Sequence, residues 1–458
     1  CLFLLGLHST LFGPVKYAIL PQCLKEHELV GGNALIEAGT FVAILIGTLA
    51  GGLLAGMDNG TLWISVFCFL TALAGYLVSR GVPAAPAPEP NLQLNPNPFT
   101  ETWRNIGFAR ENRTVFLSIL GISWFWLFGA LLLAQFPAYA KNVLGGTETS
   151  VTLLLGTFTL GIGIGSLLCE RHSAKQLEIG LVPFGSIGLT VFGLDLAFAS
   201  TSELPAAPLS LMPLLMASGS LHVLFDLFAI GLFGGFFIVP LYALVQMRSS
   251  PAHRARIIAA NNIMNALFMV VGAGAAAGLL SNGLSIPALF GVAAVCNAAV
   301  AFFIYGLVPE FLVRFVVWLL VHSIYRLEKR DMDLIPQEGA CLLICDQEST
   351  VDALVIRAAC PRPIRFVLDQ QEISLIQTGL TAGDLICILQ VKNLGQGSLT
   401  SFQEETTAPV IQLTLSGLSD GPFSLRVESM PNRLLKMRPL RHISITATRL
   451  QNIAGKLR

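Results

Sequence analysis

The sequence predicts an all-α polytopic membrane protein followed by a small α/β domain. Three observations carry this. Only 12% of the 458 residues are charged, about half of the ~25% usual in a soluble domain. Apolar runs long enough to cross a bilayer follow one another as far as residue 308, which is the pattern of a chain solvated by lipid. From about residue 310 short β-rich runs replace them, and these read as a small mixed domain. Net charge is zero, so no bulk field argues for a nucleic-acid partner.

The apolar runs are 1–19, 31–56, 61–80, 115–139, 149–169, 178–199, 220–246, 257–281 and 285–308, about nine helices. Between the third and the fourth lies a Pro-rich polar stretch, Gly81 to Pro98, of linker composition. Basic residues concentrate in alternate loops: Lys16 and Lys25; Arg80, Arg104, Arg110 and Arg113; Arg171 and Lys175; Arg248, Arg254 and Arg256. Lys141 is the exception. Cytoplasmic loops carry the excess of Lys and Arg, so these loops, the linker and everything after residue 309 are expected in the cytoplasm.

An internal repeat organises the helices. Gly6-Leu7, Phe12 and Tyr17-Ala18 recur as Gly231-Leu232, Phe237 and Tyr242-Ala243; Asn33 and Glu37 recur as Asn261 and Asn265. Both copies enter their loop from the same side, so the repeat is parallel, as between the halves of major facilitator transporters. Three helices separate the linker from the second copy and none precedes the first. The expectation is therefore a partial major facilitator fold with three N-terminal helices missing, in a chain that begins at Cys1 rather than Met.

The expected organisation is 1–80, a partial N-terminal transporter half; 81–113, a Pro-rich cytoplasmic linker; 114–309, the C-terminal half; 310–330, an interfacial linker helix; and 331–458, the α/β domain. Within the last, strands are expected at Ala340–Cys345, Ile364–Leu368, Leu385–Leu389, Val410–Leu415 and Ile443–Ala447, with a helical stretch at Val351–Ala359. The nine cysteines are scattered. Cys341 and Cys345 have no second Cys/His pair nearby, so a zinc site is not expected and small reduced hydrophobes are. The Gly-rich runs Gly47–Gly56 and Gly272–Gly278 read as close helix packing. Neither is a phosphate loop, since no strand precedes and no Lys-Ser/Thr follows. No metal or cofactor is expected.

FGPVKYAILPQ (12–22), ELVGGNALIEAGTF (28–41), GISWFWLFG (121–129) and IGLFGGFFIVPLYALVQ (230–246) resemble the bacterial lysophospholipid transporters of the major facilitator superfamily. The subgroup this looks like carries a glycerolipid acyltransferase domain after the transporter. The resemblance covers roughly residues 1–325. It implies movement of lysophospholipids, chiefly lysophosphatidylethanolamine, across the bacterial inner membrane for re-acylation. Implied partners are the lysophospholipid, the lipid bilayer, and acyl–acyl-carrier protein or an acyl-activating enzyme.

In the tail the family's acyltransferase motif is His-x4-Asp, in which His removes the acceptor's proton and Asp orients the ring. The matching stretch ICDQESTVDALVI (344–356) keeps Asp352 but has Gln347 at the His position. An amide has no basic nitrogen and cannot act as general base. The blocks that should supply an Arg and a Pro-Glu-Gly are missing too, so the domain is expected to be inactive. Two alternatives stand beside the transporter: a membrane-bound acyltransferase and a non-functional truncated product.

Ionisable residues inside the apolar runs are few: Lys16, Glu37, Asp195, His222 and Asp226. Each costs upward of ~2.5 kcal/mol at a helix centre, which makes each a site candidate. Asp195 and His222 fall near outer helix ends and read as solvated, with Asp226 one turn deeper. Lys16 and Glu37 match the family's Pro-x-Lys-Tyr and Asn-x-x-x-Glu motifs, and Glu37 shares a helix face with Asn33. The expected substrate-binding set is Lys16, Asn33, Glu37, Asn261, Asn265 and Asp226.

Overall fold

The computed structural model describes residues 2–25, 28–85, 95, 97–173, 177–199, 209, 211–217, 219–330, 334–336, 339–345, 350–360, 364–367, 385–389, 410–416 and 441–449. They fall into two units, Cys1–Pro309 and Glu310–Arg458.

The first unit is helical: α1 (Leu2–Ala18), α2 (Leu20–Cys23), α3 (Leu29–Ala55), α4 (Gly60–Ser79), α5 (Pro98–Glu111), α6 (Arg113–Asn142), α7 (Glu148–His172), α8 (Leu181–Phe198), α9 (Leu211–Met216), α10 (Ser220–Arg248), α11 (Arg254–Ser281) and α12 (Ile286–Leu307). Nine helical segments among the described residues are long and apolar enough to cross a membrane, and they coincide with the nine apolar runs. Polar side chains set their starts. Asn112 accepts from the backbone N–H groups of Thr114 and Val115 ahead of α6, and Ser285 accepts from that of Ala288 ahead of α12; both satisfy donors that a helix N-terminus otherwise leaves free.

α10 runs through the centre of the unit against α3, α6, α7 and α8. It is apolar on every face, as a helix surrounded by other helices must be. Its approach to α7 rests on glycine. A methyl at Gly161 would collide with the backbone of Phe228, one at Gly165 with that of Leu232, and one at Gly235 with that of Ser166. These are two small-xxx-small pairs, Gly161/Gly165 and Gly231/Gly235, laid face to face. The close-packing glycines are thus not those expected from the sequence. Gly47, Gly51, Gly52, Gly274 and Gly278 have open space where a Cβ would stand, and of the second run only Gly272 meets a neighbour, Leu127. Local glycine density does not report which helix face is covered.

A second tie is polar. Asn297 on α12 accepts from Trp124 Nε1 on α6 at 2.9 Å, and donates to Ser186 O at 3.0 Å and Thr190 Oγ1 at 2.9 Å on α8. Every hydrogen-bonding atom of that amide faces a partner, so one buried Asn joins three helices at little desolvation cost. By contrast α4 buries only Gly60 and exposes Phe69, Leu77 and Val78, an apolar surface suited to hydrocarbon.

The 81–113 segment is not wholly linker. It holds α5, capped by Asn97, which accepts from the N–H groups of Phe99 and Thr100. The helix packs on α11, where Phe108 stacks on His253 with centroids 4.1 Å apart and Arg256 lies over its ring. The Asn-Pro start was legible; the pull of the Pro-rich composition masked it.

The second unit contains α13 (Pro309–Ile324), β1 (Tyr325–Arg330), β2 (Cys341–Cys345), α14 (Thr350–Ala359), β3 (Arg365–Val367), β4 (Leu385–Leu389), β5 (Val410–Ser416) and β6 (Arg441–Arg449). The strands form one sheet in the order β1-β6-β5-β2-β4-β3, parallel throughout except for β5 against β6. Cys341, Leu343 and Cys345, alternate residues of β2, share a core with Val317 of α13 and with Val355, Ile356 and Ala359 of α14. Arg314 of α13 donates to Cys360 O at 2.7 Å, placing its charge at the C-terminal end of α14, where a cation is favoured. Burial pushes the Cys387 thiol well above its ordinary value, so it packs as an inert hydrophobe. The five expected strands and the helix are present. The expected 310–330 helix is not one element: it stops at Ile324 and continues as β1, paired in parallel with β6.

Candidate functional site

In the first unit five helices bring polar side chains to one place. α1 contributes Lys16 and Tyr17 from its last turn. α3 contributes Asn33 and Glu37, four residues apart and so on one face, with the apolar Phe41 a further turn along. α10 contributes Tyr242 and Gln246, α6 Ser123 and Trp126, and α11 Asn261 and Asn265.

The two repeat-related tyrosines meet directly. Tyr17 and Tyr242 stack with centroids 4.3 Å apart and planes 3° from parallel. α1 packs on α11 and α3 on α10, so each copy of the hairpin touches the opposite element of the other, as a two-fold relation between them requires.

Around this stack the hydrogen bonds are specific. Asn33 Nδ2 donates to Gln246 Oε1 at 2.6 Å, and Gln246 Nε2 donates back to Asn33 Oδ1 at 3.1 Å and to Tyr17 O at 3.1 Å. Both amides are buried, so this reciprocal pair joins α3 and α1 to α10. Trp126 Nε1 donates to the Tyr242 hydroxyl at 3.0 Å, and Ser123 Oγ donates to Asn265 Oδ1 at 2.9 Å. Asn261 lies beside the Tyr242 hydroxyl.

The two charges of the site are held separately. The Tyr17 hydroxyl donates to Glu37 Oε1. Lys16 Nζ donates to Thr40 Oγ1 at 3.3 Å and lies 4.7 Å from the centroid of the Tyr17 ring. Glu37 is fully buried, and its Oε2 has no hydrogen-bond partner among the described residues. A buried carboxylate oxygen in that state is costly. The arrangement therefore offers one uncommitted acceptor beside stacked aromatic faces, with a lysine ammonium on the same tyrosine. Such a pair of sites suits a small zwitterion: an ammonium at Glu37 and an anion at Lys16.

The structure brings together five of the six expected substrate-site residues: Lys16, Asn33, Glu37, Asn261 and Asn265. Asp226 does not join them. It lies on α10 toward the opposite end from Tyr242, roughly 24 Å away at 1.5 Å per residue, beside His222 and Asp195. A charge inside an apolar run marks a site candidate without reporting at which end of its helix it lies. Tyr17, Thr40, Trp126, Tyr242 and Gln246 join this cluster and are not among the residues expected from the sequence. The signal for the tyrosines was present, because they are the repeat mates that marked the two hairpins. In the tail, Gln347 lies outside the described residues; Asp352 falls in α14.

Residues 1–221 match the Major Facilitator Superfamily. The lysophospholipid transporter LplT of Serratia proteamaculans (strain 568) is 29% identical over 251 residues, 54% of this chain and 57% of that protein. Those of Klebsiella pneumoniae subsp. pneumoniae and Escherichia coli O1:K1 / APEC are 31% identical over 256 and 249 residues, again 54% of this chain and 57% of the relative. The chain thus spans somewhat over half the length of the curated relatives it matches. With nine apolar helices in the described residues, these matches make it a multi-pass membrane protein.

Proposed function

We propose that the first unit works in the transport of lysophospholipids such as lysophosphatidylethanolamine across the bacterial inner membrane, serving phospholipid re-acylation. The observation that carries the reading is the buried, half-satisfied Glu37 carboxylate beside the Tyr17–Tyr242 stack and Lys16. A zwitterionic head group supplies what that site lacks, an ammonium for Glu37 Oε2, while its phosphate meets Lys16. The cluster sits where the two repeat copies meet, the interface at which transporters built from repeats hold substrate, here toward the loop ends of α1, α3, α10 and α11. The names of the relatives agree with this substrate class. Basic residues at alternate loops support a cytoplasmic side for the linker and the second unit.

The second unit reads as a glycerolipid acyltransferase-like domain that has lost its chemistry. What supports this is the strand–helix step from β2 to α14, with Asp352 in the helix, and Gln347 where a base is needed. Its partner would be an acyl–acyl-carrier protein or an acyl-activating enzyme acting nearby.

The test is reconstitution of the chain into liposomes carrying head-group-labelled lysophosphatidylethanolamine in one leaflet, followed by quenching from that side. The reading expects label to become protected faster than in protein-free vesicles. Equal rates in the two would reject it.

A further inference from the structure

Asp195, His222 and Asp226 stand together where the last turn of α8 meets the first turns of α10. His222 Nε2 lies 3.0 Å from Asp195 Oδ2 and 3.6 Å from Asp226 Oδ2. The ligand-capable atoms of all three fall within 4.8 Å of one another. His222 and Asp226 are one turn apart on the same face of α10, the i, i+4 spacing by which a helix presents two ligands to one ion. Asp195 adds a third from the neighbouring helix.

A second observation points to a ligand. The Asp226 side chain is fully buried and faces the cluster, yet both of its carboxylate oxygens have no hydrogen-bond partner among the described residues. The Tyr139 hydroxyl, within electrostatic reach of Asp226, is buried and likewise has no hydrogen-bond partner among the described residues. His222 Nε2 lies closer to Asp195 Oδ2 than to Asp226 Oδ2, 3.0 against 3.6 Å, so it faces Asp226 at ion-pair distance without hydrogen-bonding it. Buried carboxylates in proteins are paired or coordinate metals.

We propose that Asp195, His222 and Asp226 bind a divalent transition-metal ion that clips α8 to α10. Donor atoms on a tetrahedral ion with bonds of ~2.0–2.2 Å stand roughly 3.3–3.6 Å apart, so the Asp195–His222 contact has to open slightly and the Asp195–Asp226 pair, within 4.8 Å, has to settle to the same spacing. One imidazole and two carboxylates, with no thiolate, select an ion such as Zn²⁺, Mn²⁺ or Co²⁺ over the all-oxygen preference of Ca²⁺ and Mg²⁺. Three protein ligands leave a position for water. Asp195 and His222 are 45% and 47% exposed, so the ion exchanges with the medium. The site lies at the end of the helices opposite the Arg171 and Arg248 loops, away from the Lys16–Glu37 cluster, and does not depend on what that cluster transports.

The test uses purified, tag-free protein in detergent, titrated with Co²⁺ and followed by visible absorption, with a thermal melt in the presence and absence of Zn²⁺. The wild type is expected to show a saturable set of weak d–d bands, displaced by Zn²⁺, and a higher Tm with Zn²⁺. Asp226→Asn removes a buried charge without changing shape, so it should fold at least as well metal-free. Both it and His222→Gln, at a half-exposed position, are expected to weaken the Co²⁺ affinity read from the titration by more than roughly tenfold, the loss that even outer-shell substitutions give, and to abolish the Zn²⁺ shift. A wild type without a saturable band would overturn the proposal. So would an unchanged titration in both variants, or intense sulfur-to-metal charge transfer that survives both and assigns the ion to cysteines.

Discussion

Replacing Gln246 by Leu removes one partner of the buried amide pair that ties α3 and α1 to α10. The substitution keeps the volume roughly constant and deletes three hydrogen bonds: two with Asn33 and one with Tyr17 O. Asn33 Nδ2 keeps its bond to Leu29 O at 2.8 Å, but Asn33 Oδ1 is stranded in a buried site. One orphaned polar atom costs about 1–3 kcal/mol, so Gln246→Leu is expected to destabilise by about 2 kcal/mol. Asn33→Leu should cost a similar amount, because it strands Gln246 Oε1. The double substitution strands neither side-chain amide, so it should cost less than the sum of the two single effects. Interhelical hydrogen bonds in membrane proteins average ~0.6 kcal/mol, so the two reciprocal bonds give a coupling energy of about 1.2 kcal/mol. The assay is a double-mutant cycle on the unfolding free energy in mixed micelles. Two single effects that simply add, with coupling below about 0.3 kcal/mol, would refute the claim that this pair joins the elements.

Three further outcomes follow from the same structure. Gly165→Val forces α7 away from Leu232 and should cost about 1–3 kcal/mol through overpacking, whereas Gly163→Ala, with open space at its Cβ, should leave the melting temperature within error; equal effects would contradict the glycine seam. Asn297→Leu should lower stability by about 1–2 kcal/mol by leaving Trp124 Nε1 without its acceptor, a change that a thermal melt in detergent reads directly. Gln347→His restores a base without the missing blocks, so no acyl transfer to lysophosphatidylethanolamine is expected, and turnover above a no-enzyme control would show that the second unit is only one residue from activity.

What was legible in the sequence, and what was not, divides along physical lines. Hydrophobic runs and loop charges are one-dimensional signals, and all nine apolar runs are helices here. The repeat carried more: Tyr17 and Tyr242 were matched as sequence mates and prove to be stacked. Strand positions in the tail came from short β-rich runs set between polar stretches, while β1 was hidden because Tyr325–Arg330 is largely polar and continues an apolar helix without a break. Faces and depths were harder. The expected packing glycines at 47, 51 and 52 have open space at Cβ, and Gly161, Gly165, Gly231 and Gly235, in runs at least as rich in glycine, hold α7 to α10. Asp226 was grouped with Lys16 and Glu37 because all are charges in apolar runs, although it sits toward the other end of its helix. Gln246, 213 positions from Asn33, had no local signal at all, since its partner is set by tertiary contact alone.

The account turns on Glu37 as the acceptor for a lysophospholipid head group, and one ratio tests that most directly. Glu37→Gln is nearly isosteric and keeps a carbonyl for the Tyr17 hydroxyl, so expression and melting temperature should be preserved or improved. The initial rate of head-group-labelled lysophosphatidylethanolamine transfer, wild type against Glu37→Gln at matched protein, is expected to fall by roughly tenfold or more, equivalent to ~1.4 kcal/mol of lost interaction. A Glu37→Gln protein that moves the lipid at the wild-type rate would contradict the head-group role and leave Glu37 as a structural partner of Tyr17.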